Sequence, residues 1–400
     1  MAIPPIAALE IGTSRTVVCV GETGERGRVR ITGVGACPTI GVRKGEITEL
    51  PNVRVGIDKA IKEAEKTSGV DIWQVLIALS GGHIQSVINP GKLAIRSSDH
   101  VVSAEDMEEL GEIANDVELE SDRQLLHTIP MTFTVDDQIG IVKPLGMRCK
   151  MLSLEVMAIH CLKNRVDNAV NAAKSAKLDV ADVAFSGIGA ALSVLTAEHK
   201  QNGVALIDLG GGTTSYVAYC NNVFATSGCI AVGGDHITND VALAFAITQA
   251  QAEEVKRKYG SAVIDPDSGS KRVTVPADGA FEERILGCKA LQTVINARVD
   301  ETLRIVRSQL DDAGVLPHLR AGLILIGGGA YMNGVTDLAQ RIFGLPCRIG
   351  TPSNVDGLEG VEQPAALATV AGLVMHGHNN YEDRGLLSPV KHVLKGWFGR

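Results

Sequence analysis

Aromatic side chains make up only 4% of the 400 residues, with two tryptophans, five tyrosines and seven phenylalanines. A core of the size this length requires must therefore be built from Val, Ile, Leu and Ala. No run reaches the ~18 consecutive apolar residues of a membrane-spanning helix. The opening MAIPPIAALEIG has no basic stretch leading into a long apolar one, so no secretory leader is expected either. Cys-x-x-Cys is absent. The eight cysteines, at 19, 37, 149, 161, 220, 229, 288 and 347, stand far apart, several in strand-like contexts such as TVVCV. That argues against a zinc site or a disulfide framework and for reduced thiols in a cytoplasmic chain. Positive charge is also short: Lys and Arg number 38 against 46 Asp and Glu, a net charge of −8. A nucleic-acid-binding chain wants the reverse balance, so no nucleic-acid partner is expected. His83, His127, His160, His236 and the pair His376/His378 have no acids or cysteines at recurring metal spacings, and structural roles are expected for them.

Glycine is abundant, with 44 residues, and apolar residues make up 45%. The length sets a prior of roughly two to four domains. Short strands bounded by glycines and followed by helical periods indicate an α/β class. IAALEIGTSRTVVCVGE near the front reads as strand, Gly-Thr-Ser turn, strand, and GVALIDLGGGTTSYVAYC from residue 203 repeats the plan. A further strand follows each, RITGVGAC in one half and NVFATSGCIAVGG in the other, which predicts an internal duplication. Residues 51–68 carry a helical period and VLIALSG at 75–81 reads as a buried strand. From 85 to 162 the pattern changes: a helix capped by Ser103 with Asp106 three residues on precedes two apolar strand-like stretches, so an inserted α+β module is expected. Downstream, ITNDVALAFAITQAQAEEVKRKYG is helical with an interruption near Thr248, KRVTVPAD is a strand, and LQTVINARVDETLRIVRSQLDDAG is a long helix ended by Gly314. QPAALATVAGLVMHG reads as the last helix of the body, before a polar linker.

Three turns share one design, in which a strand ends and glycines expose backbone N–H groups: Gly12 with Thr13 and Ser14; Gly210, Gly211 and Gly212 with Thr213 and Thr214; and Gly327, Gly328 and Gly329. Such donors suit phosphates, because a Cβ would block close approach. Neither GxxxxGK[ST] nor GxGxxG in a βαβ unit occurs, so two common nucleotide motifs are excluded. Any one of the turns alone is equally well a plain tight turn. Three within one duplicated plan indicate a polyphosphate cleft, with Asp208 facing the waters around a divalent cation. Glu253 and Lys256 lie on one helix face and offer an acceptor and an aliphatic stem for a purine base, or else a solvating ion pair.

The last residues, SPVKHVLKGWFGR from 388, place Val390, Val393, Leu394, Trp397 and Phe398 on one helical stripe, with Lys391, Lys395 and Arg400 as the charges. Ser388 and Pro389 suit the helix start. This composition fits an amphipathic helix lying on an anionic membrane surface. The alternative is a terminal helix docked on the body.

Taken together, ALEIGTSR, GVALIDLGGGTTSYVAY, IAVGGDHITNDVA, AEEVKRKYG and LIGGGAYMNGV resemble the nucleotide-binding fold of actin, heat-shock-70 proteins and sugar kinases. More narrowly, LLHTIPMTFTVDDQIGIVKPLGM, HITNDVALAF and GTPSNVDGLEGVEQPAALATVAGL resemble the FtsA family of bacterial actin-like cell-division proteins, and the likeness runs from residue 6 to the tail. The resemblance implies a duplicated actin-like (ribonuclease H-like) α/β fold with ATP and Mg2+ in a cleft. It implies subdomain 1A over 1–84 and 163–202, an inserted subdomain 1C over 85–162, subdomain 2A over 203–234 and 311–376, and subdomain 2B over 235–310. A linker over 377–387 and a membrane-targeting helix over 388–400 complete the expected plan. Glu10, Gly12, Thr13 and Ser14 then match the first phosphate loop, and Asp208 with Gly210 to Thr214 the second, Asp208 serving the metal. Gly234, Glu253 and Lys256 match the adenine side, and Gly327 to Gly329 the adenosine motif.

The same resemblance implies a peripheral protein on the cytoplasmic face of the inner membrane at the division septum. There it would self-associate into dimers or filaments, anchor FtsZ through its C-terminal peptide on 235–310, and bind later division proteins through 85–162. Two departures bear on turnover. Family members usually carry Asp where this chain has Glu10, and Glu-Pro where it has Ser186-Gly187. A serine hydroxyl has no useful basicity near neutral pH. ATP binding with weak or no hydrolysis is therefore expected, and no catalytic residue is assigned. The alternatives are a soluble pilus-assembly adaptor like PilM, which lacks such a tail, and a small-molecule kinase, which needs a carboxylate base. A chaperone like heat-shock-70 would carry a long substrate-binding region.

Overall fold

The computed structural model describes residues 3–24, 28–279 and 282–384. The stripe expected to bind membrane, Val390 to Phe398, lies outside the described residues, as does the linker from 385 on.

Two five-stranded sheets carry the same strand order. In the first, Asp179–Phe185, Gln74–Leu79, Ile6–Ile11, Arg15–Thr23 and Val29–Pro38 lie side by side. In the second the order is Cys347–Ile349, Leu323–Ile326, Val204–Leu209, Thr214–Cys220 and Val223–Ile230. Each is a three-stranded antiparallel meander extended by two parallel strands. Their registers coincide as well: Glu10 faces Val17 and Ile11 faces Thr16, as Asp208 faces Ser215 and Leu209 faces Thr214. The chain is thus a duplicated α/β fold of the actin type.

Val17, Val18, Cys19 and Val20 are all buried, because helices cover both faces of the first sheet and leave no polar side to alternate toward. The helix Leu50–Ser68 packs Val53, Ile57, Ala60 and Ala64 against one face at helical spacing. Glycine at 35 lets it lie close, since a Cβ there would run into Ala60 O. Helices Ser186–Val194 and Ala368–Arg384 cover the other face, their backbones meeting where a Cβ on Gly372 would strike Gly189 O.

Residues 85–162 form a separate sheet of Gln85–Ala94, Met151–Leu162, Arg123–Val135 and Gln138–Ile141. The helix Ala104–Asn115 closes its own small core with Leu93, Met107, Leu110, Phe133 and Leu152. Its start is a capping box in which Ser103 and Asp106 bond reciprocally. Between 235 and 310 the helices Gly234–Phe245, Gln249–Tyr259 and Cys288–Asp312 pack around Val241, Val255, Leu291 and Ile295. Thr248 caps the second of these, which explains the break in the helical pattern. The strand Arg272–Val275 has a partner, Arg284–Gly287, that its own sequence did not announce. All eight cysteines are free thiols.

One expectation is corrected. The helix Ala368–Arg384 runs on through residues 377–384, where the sequence predicts linker. The polar run HGHNNYED hides this, but its small and buried members pack inward: Gly377 lies against Ile6 and Leu76, and buried His378 reaches Thr23 Oγ1 at 3.4 Å. Among the described residues no helix is long and apolar enough to cross a membrane.

Candidate nucleotide cleft

The two hairpin turns close in the same way. Gly12 N–H donates to Arg15 O at 3.1 Å, and Gly210 N–H donates to Thr213 O at 3.0 Å. Their tips meet: a Cβ on Gly211 would stand 2.9 Å from Ser14 Cβ, and one on Gly212 would run into Thr13 Oγ1. Glycine is thus required there for the two halves to approach. Thr13 Oγ1 also accepts Gly45 N–H at 3.0 Å, drawing in the turn between Val42–Arg43 and Glu46–Ile47. At its corner Lys44 takes a φ of 54° and lies with its Cα against Gly212. Behind the second loop, Gly234 N–H donates to Gly210 O at 3.0 Å and Asp235 N–H to Gly211 O at 2.7 Å. Thr214 is spent structurally, its hydroxyl donating to Val232 O at 2.8 Å.

Glu10 and Asp208 hold equivalent positions and bring two carboxyls into one half-buried space. Burial, then the charge of Asp208, push the Glu10 carboxyl up to about 7 against the pull of Arg15. Burial pushes Asp208 up to about 6, opposed by the Thr369 hydroxyl, which donates to Oδ2 at 3.3 Å, and by Arg15. Two acids that each resist ionising, beside backbone donors, are a donor set that a hard divalent cation with phosphate would relieve.

The third loop divides by role. A Cβ on Gly327 would run into Asp208 Oδ1, and its φ of 82° favours glycine in any case. Gly329 sits against Leu209, where a Cβ would come within 2.8 Å of the Leu209 Cβ. Gly328 has no atom of the described residues, its chain neighbours apart, within 4 Å of where its Cβ would be, and faces open space. Glu253 and Lys256 are brought to the second loop, but they bond each other first. Lys256 Nζ also reaches Thr238 Oγ1 at 2.8 Å and Gly234 O at 3.1 Å, while Glu253 takes Arg257 Nε at 2.8 Å. Their polar ends therefore brace the helix start behind Gly210 and Gly211.

Ser186 opens the helix Ser186–Val194, is 3% exposed, and its Oγ has no hydrogen-bond partner among the described residues. The preceding Phe185 N–H donates to Nε2 of His127, from the inserted module, at 2.9 Å. Sequence reasoning missed Arg15, Lys44 and Thr369. Arg15 bonds Ala366 O at 2.6 Å and reaches both carboxyls by its charge. A single arginine after a turn carries no local signal, and Thr369 lies 161 residues from the acid it serves.

Comparison with known proteins bears on the family and the fold. A family model described as "Cell division protein FtsA" matches residues 205–372, and one described as "SHS2 domain inserted in FTSA" matches residues 81–160. The cell division protein FtsA of Pseudomonas aeruginosa is 33% identical over 98% of this chain and 97% of that protein. That of Escherichia coli (strain K12) is 33% identical over 94% of this chain and 91% of that protein. Among solved structures, the PilM-PilN type IV pilus biogenesis complex matches with a TM-score of 0.65 at 18% identity, covering 93% of this chain and 98% of that one. MreB5 of Spiroplasma citri bound to AMPPNP matches with a TM-score of 0.57 at 14% identity, covering 96% and 100%. At those identities the structures speak for the fold alone.

Proposed function

The chain belongs to the FtsA family, ATP-binding actin-like proteins of cell division, and from that premise we propose that it is a nucleotide-clamped adaptor between membrane and FtsZ. It binds ATP with Mg2+ between its halves, turns it over slowly or not at all, and polymerises on the cytoplasmic face of the membrane at the septum. Residues 388–400 hold it there. The observation that carries the reading is the pair Glu10 and Asp208, presented from equivalent hairpins beside tips that touch through Ser14 and Gly211.

The residues fit a Mg2+–triphosphate. Glu10 and Asp208 would face the cation, the N–H groups of residues 13–14 and 211–213 the phosphates, and Gly328 the open side. When bound, that group supplies a positive centre and anionic oxygens between two halves that otherwise bring acid against acid. Ser186 gives no base to orient or deprotonate water, which also disfavours the small-molecule kinase reading. A ligand held only by the closed form stabilises that form by mass action. For FtsZ, the exposed apolar residues Leu243 (74%) and Ile285 (68%) on 235–310 support a peptide contact, since Arg284 ties their two elements together through Phe245 O and Ala246 O. The inserted module is the proposed contact for later division proteins.

Equilibrium binding of Mg2+–ATP to the full chain and to Asp208→Ala tests the clamp. Retained affinity in the variant, or turnover at the rates of metabolic enzymes, would overturn it. Trp397→Glu with Phe398→Glu should abolish co-sedimentation with anionic vesicles, and unchanged binding would remove the tether.

A further inference from the structure

We propose that the end of the first half bearing Trp73 is a second membrane contact, a headgroup-level anchor that seats the body itself on an anionic bilayer. The proposal rests on the membrane tether above and adds a site on the folded body.

Trp73 is one of two tryptophans in the chain, and it is 66% exposed. Its loop is not loose. Trp73 O accepts Asp179 N–H at 2.8 Å, and Ile72 N–H donates to Glu65 Oε1 at 2.9 Å, so the backbone is fixed while the ring stands outward. The fold gains little from the ring, and an amphipathic ring of this size is at home at a headgroup boundary.

Its place in the fold points to the bilayer. The parallel strands Ile6–Ile11, Gln74–Leu79 and Asp179–Phe185 all begin at this end, and Arg15–Thr23 ends there. The helix Ala368–Arg384 runs the other way. Thr369 bonds Asp208 in the cleft, Gly377 packs on Ile6 and Leu76, and His378 reaches Thr23. Its last six residues carry it about 9 Å further in the same direction. The described chain therefore ends where Trp73 stands, ahead in sequence of the other tryptophan, Trp397.

Among the described residues charge at this end is nearly balanced: exposed Lys66, Lys174, Lys177 and Arg30 stand against Glu22, Asp71 and Asp179, while Arg28 is paired with Asp356 at 3.3 Å. The ring rather than net charge must carry the contact. A weak contact suffices, because a tether leaving the same end holds Trp73 at high effective concentration over the surface. Two contacts fix what one cannot, an orientation in which the cleft, at the opposite end of the strands, faces away from the membrane.

The test uses the full chain with Trp397→Phe, so that Trp73 is the sole tryptophan, and mixed phosphatidylcholine–phosphatidylglycerol vesicles. Bound protein should show a blue-shifted emission that brominated-chain lipid quenches. In the otherwise unaltered chain, Trp73→Ala should bind vesicles about tenfold more weakly, the scale of one buried ring, with thermal midpoint and ATP binding unchanged. Co-sedimentation with solvent-like Trp73 emission and no loss in Trp73→Ala would overturn this proposal and leave the tether standing. Loss of self-association in Trp73→Ala with vesicle binding intact would assign the ring to a protein interface and also overturn it. No co-sedimentation of the unaltered chain would sink both readings.

Discussion

Gly327 and Gly328 are neighbours of one residue type with opposite reasons for being there. At Gly327 a φ of 82° combines with a Cβ that would press on the Asp208 carboxyl and Leu209 O. Gly327→Ala should cost about 1–3 kcal/mol in urea unfolding. Gly328→Ala should leave unfolding unchanged, since among the described residues none beyond its chain neighbours lies within 4 Å of the added carbon, yet lower ATP affinity if the nucleotide passes over that face. Equal effects of the two substitutions on stability would contradict this division. His127 offers a pH test. Burial, then the neighbouring His376, push its imidazole from 6.5 down to about 3, and its Nε2 accepts Phe185 N–H. Between those two values the unfolded chain takes up a proton that the folded chain refuses. The contribution of this group to stability is therefore full above pH 6.5 and shrinks as pH falls toward 3, by at most about 1.4 kcal/mol per unit. Glu10 and Asp208, raised in the fold, act in the opposite sense. The check is thus the difference in pH slope between the parent and His127→Gln, the variant falling less steeply toward acid.

At the scale of elements, the crossing of Ser186–Val194 with Ala368–Arg384 connects packing to the site. Gly189 and Gly372 let the two backbones touch, and three residues before Gly372, Thr369 donates to Asp208. Gly372→Ala should both destabilise the fold, by the ~1–3 kcal/mol of an overpacked core, and weaken ATP binding by displacing Thr369. Thr369→Val should weaken binding with a smaller effect on stability. Unaltered affinity in both would detach this crossing from the cleft. The contrast also shows what a sequence can yield. The paired hairpins were legible because each is local: an apolar strand, a glycine turn and another strand within a few residues. The Ser103 cap and the break at Thr248 were legible for the same reason. The Gly189–Gly372 crossing, the partner strand Arg284–Gly287 and the last two turns of the final helix depend on neighbours far along the chain. In HGHNNYED, packing of Gly377 and His378 outweighed a composition that favours solvent.

At the scale of the whole molecule, the two halves meet at more than the phosphate loops. Ser86 Oγ of the inserted module donates to Ser227 O at 2.8 Å, and Gly81 N–H donates to Cys229 Sγ at 3.3 Å, both across the division between halves. A ligand drawn between Glu10 and Asp208 therefore tightens a contact line that already reaches residues 81–86, where the inserted module begins. If the nucleotide acts by occupancy rather than by cleavage, a non-hydrolysable analogue with Mg2+ should raise the unfolding midpoint as far as ATP does. At a hundredfold excess over Kd the gain is about 2.7 kcal/mol. Asp208→Ala should abolish the shift for both ligands, and Ser86→Ala should reduce it without changing the number of nucleotides bound. A shift given by ATP and absent with the analogue would instead require turnover. That result would contradict the reading of Ser186, a buried hydroxyl with no useful basicity, as a position that cannot direct water.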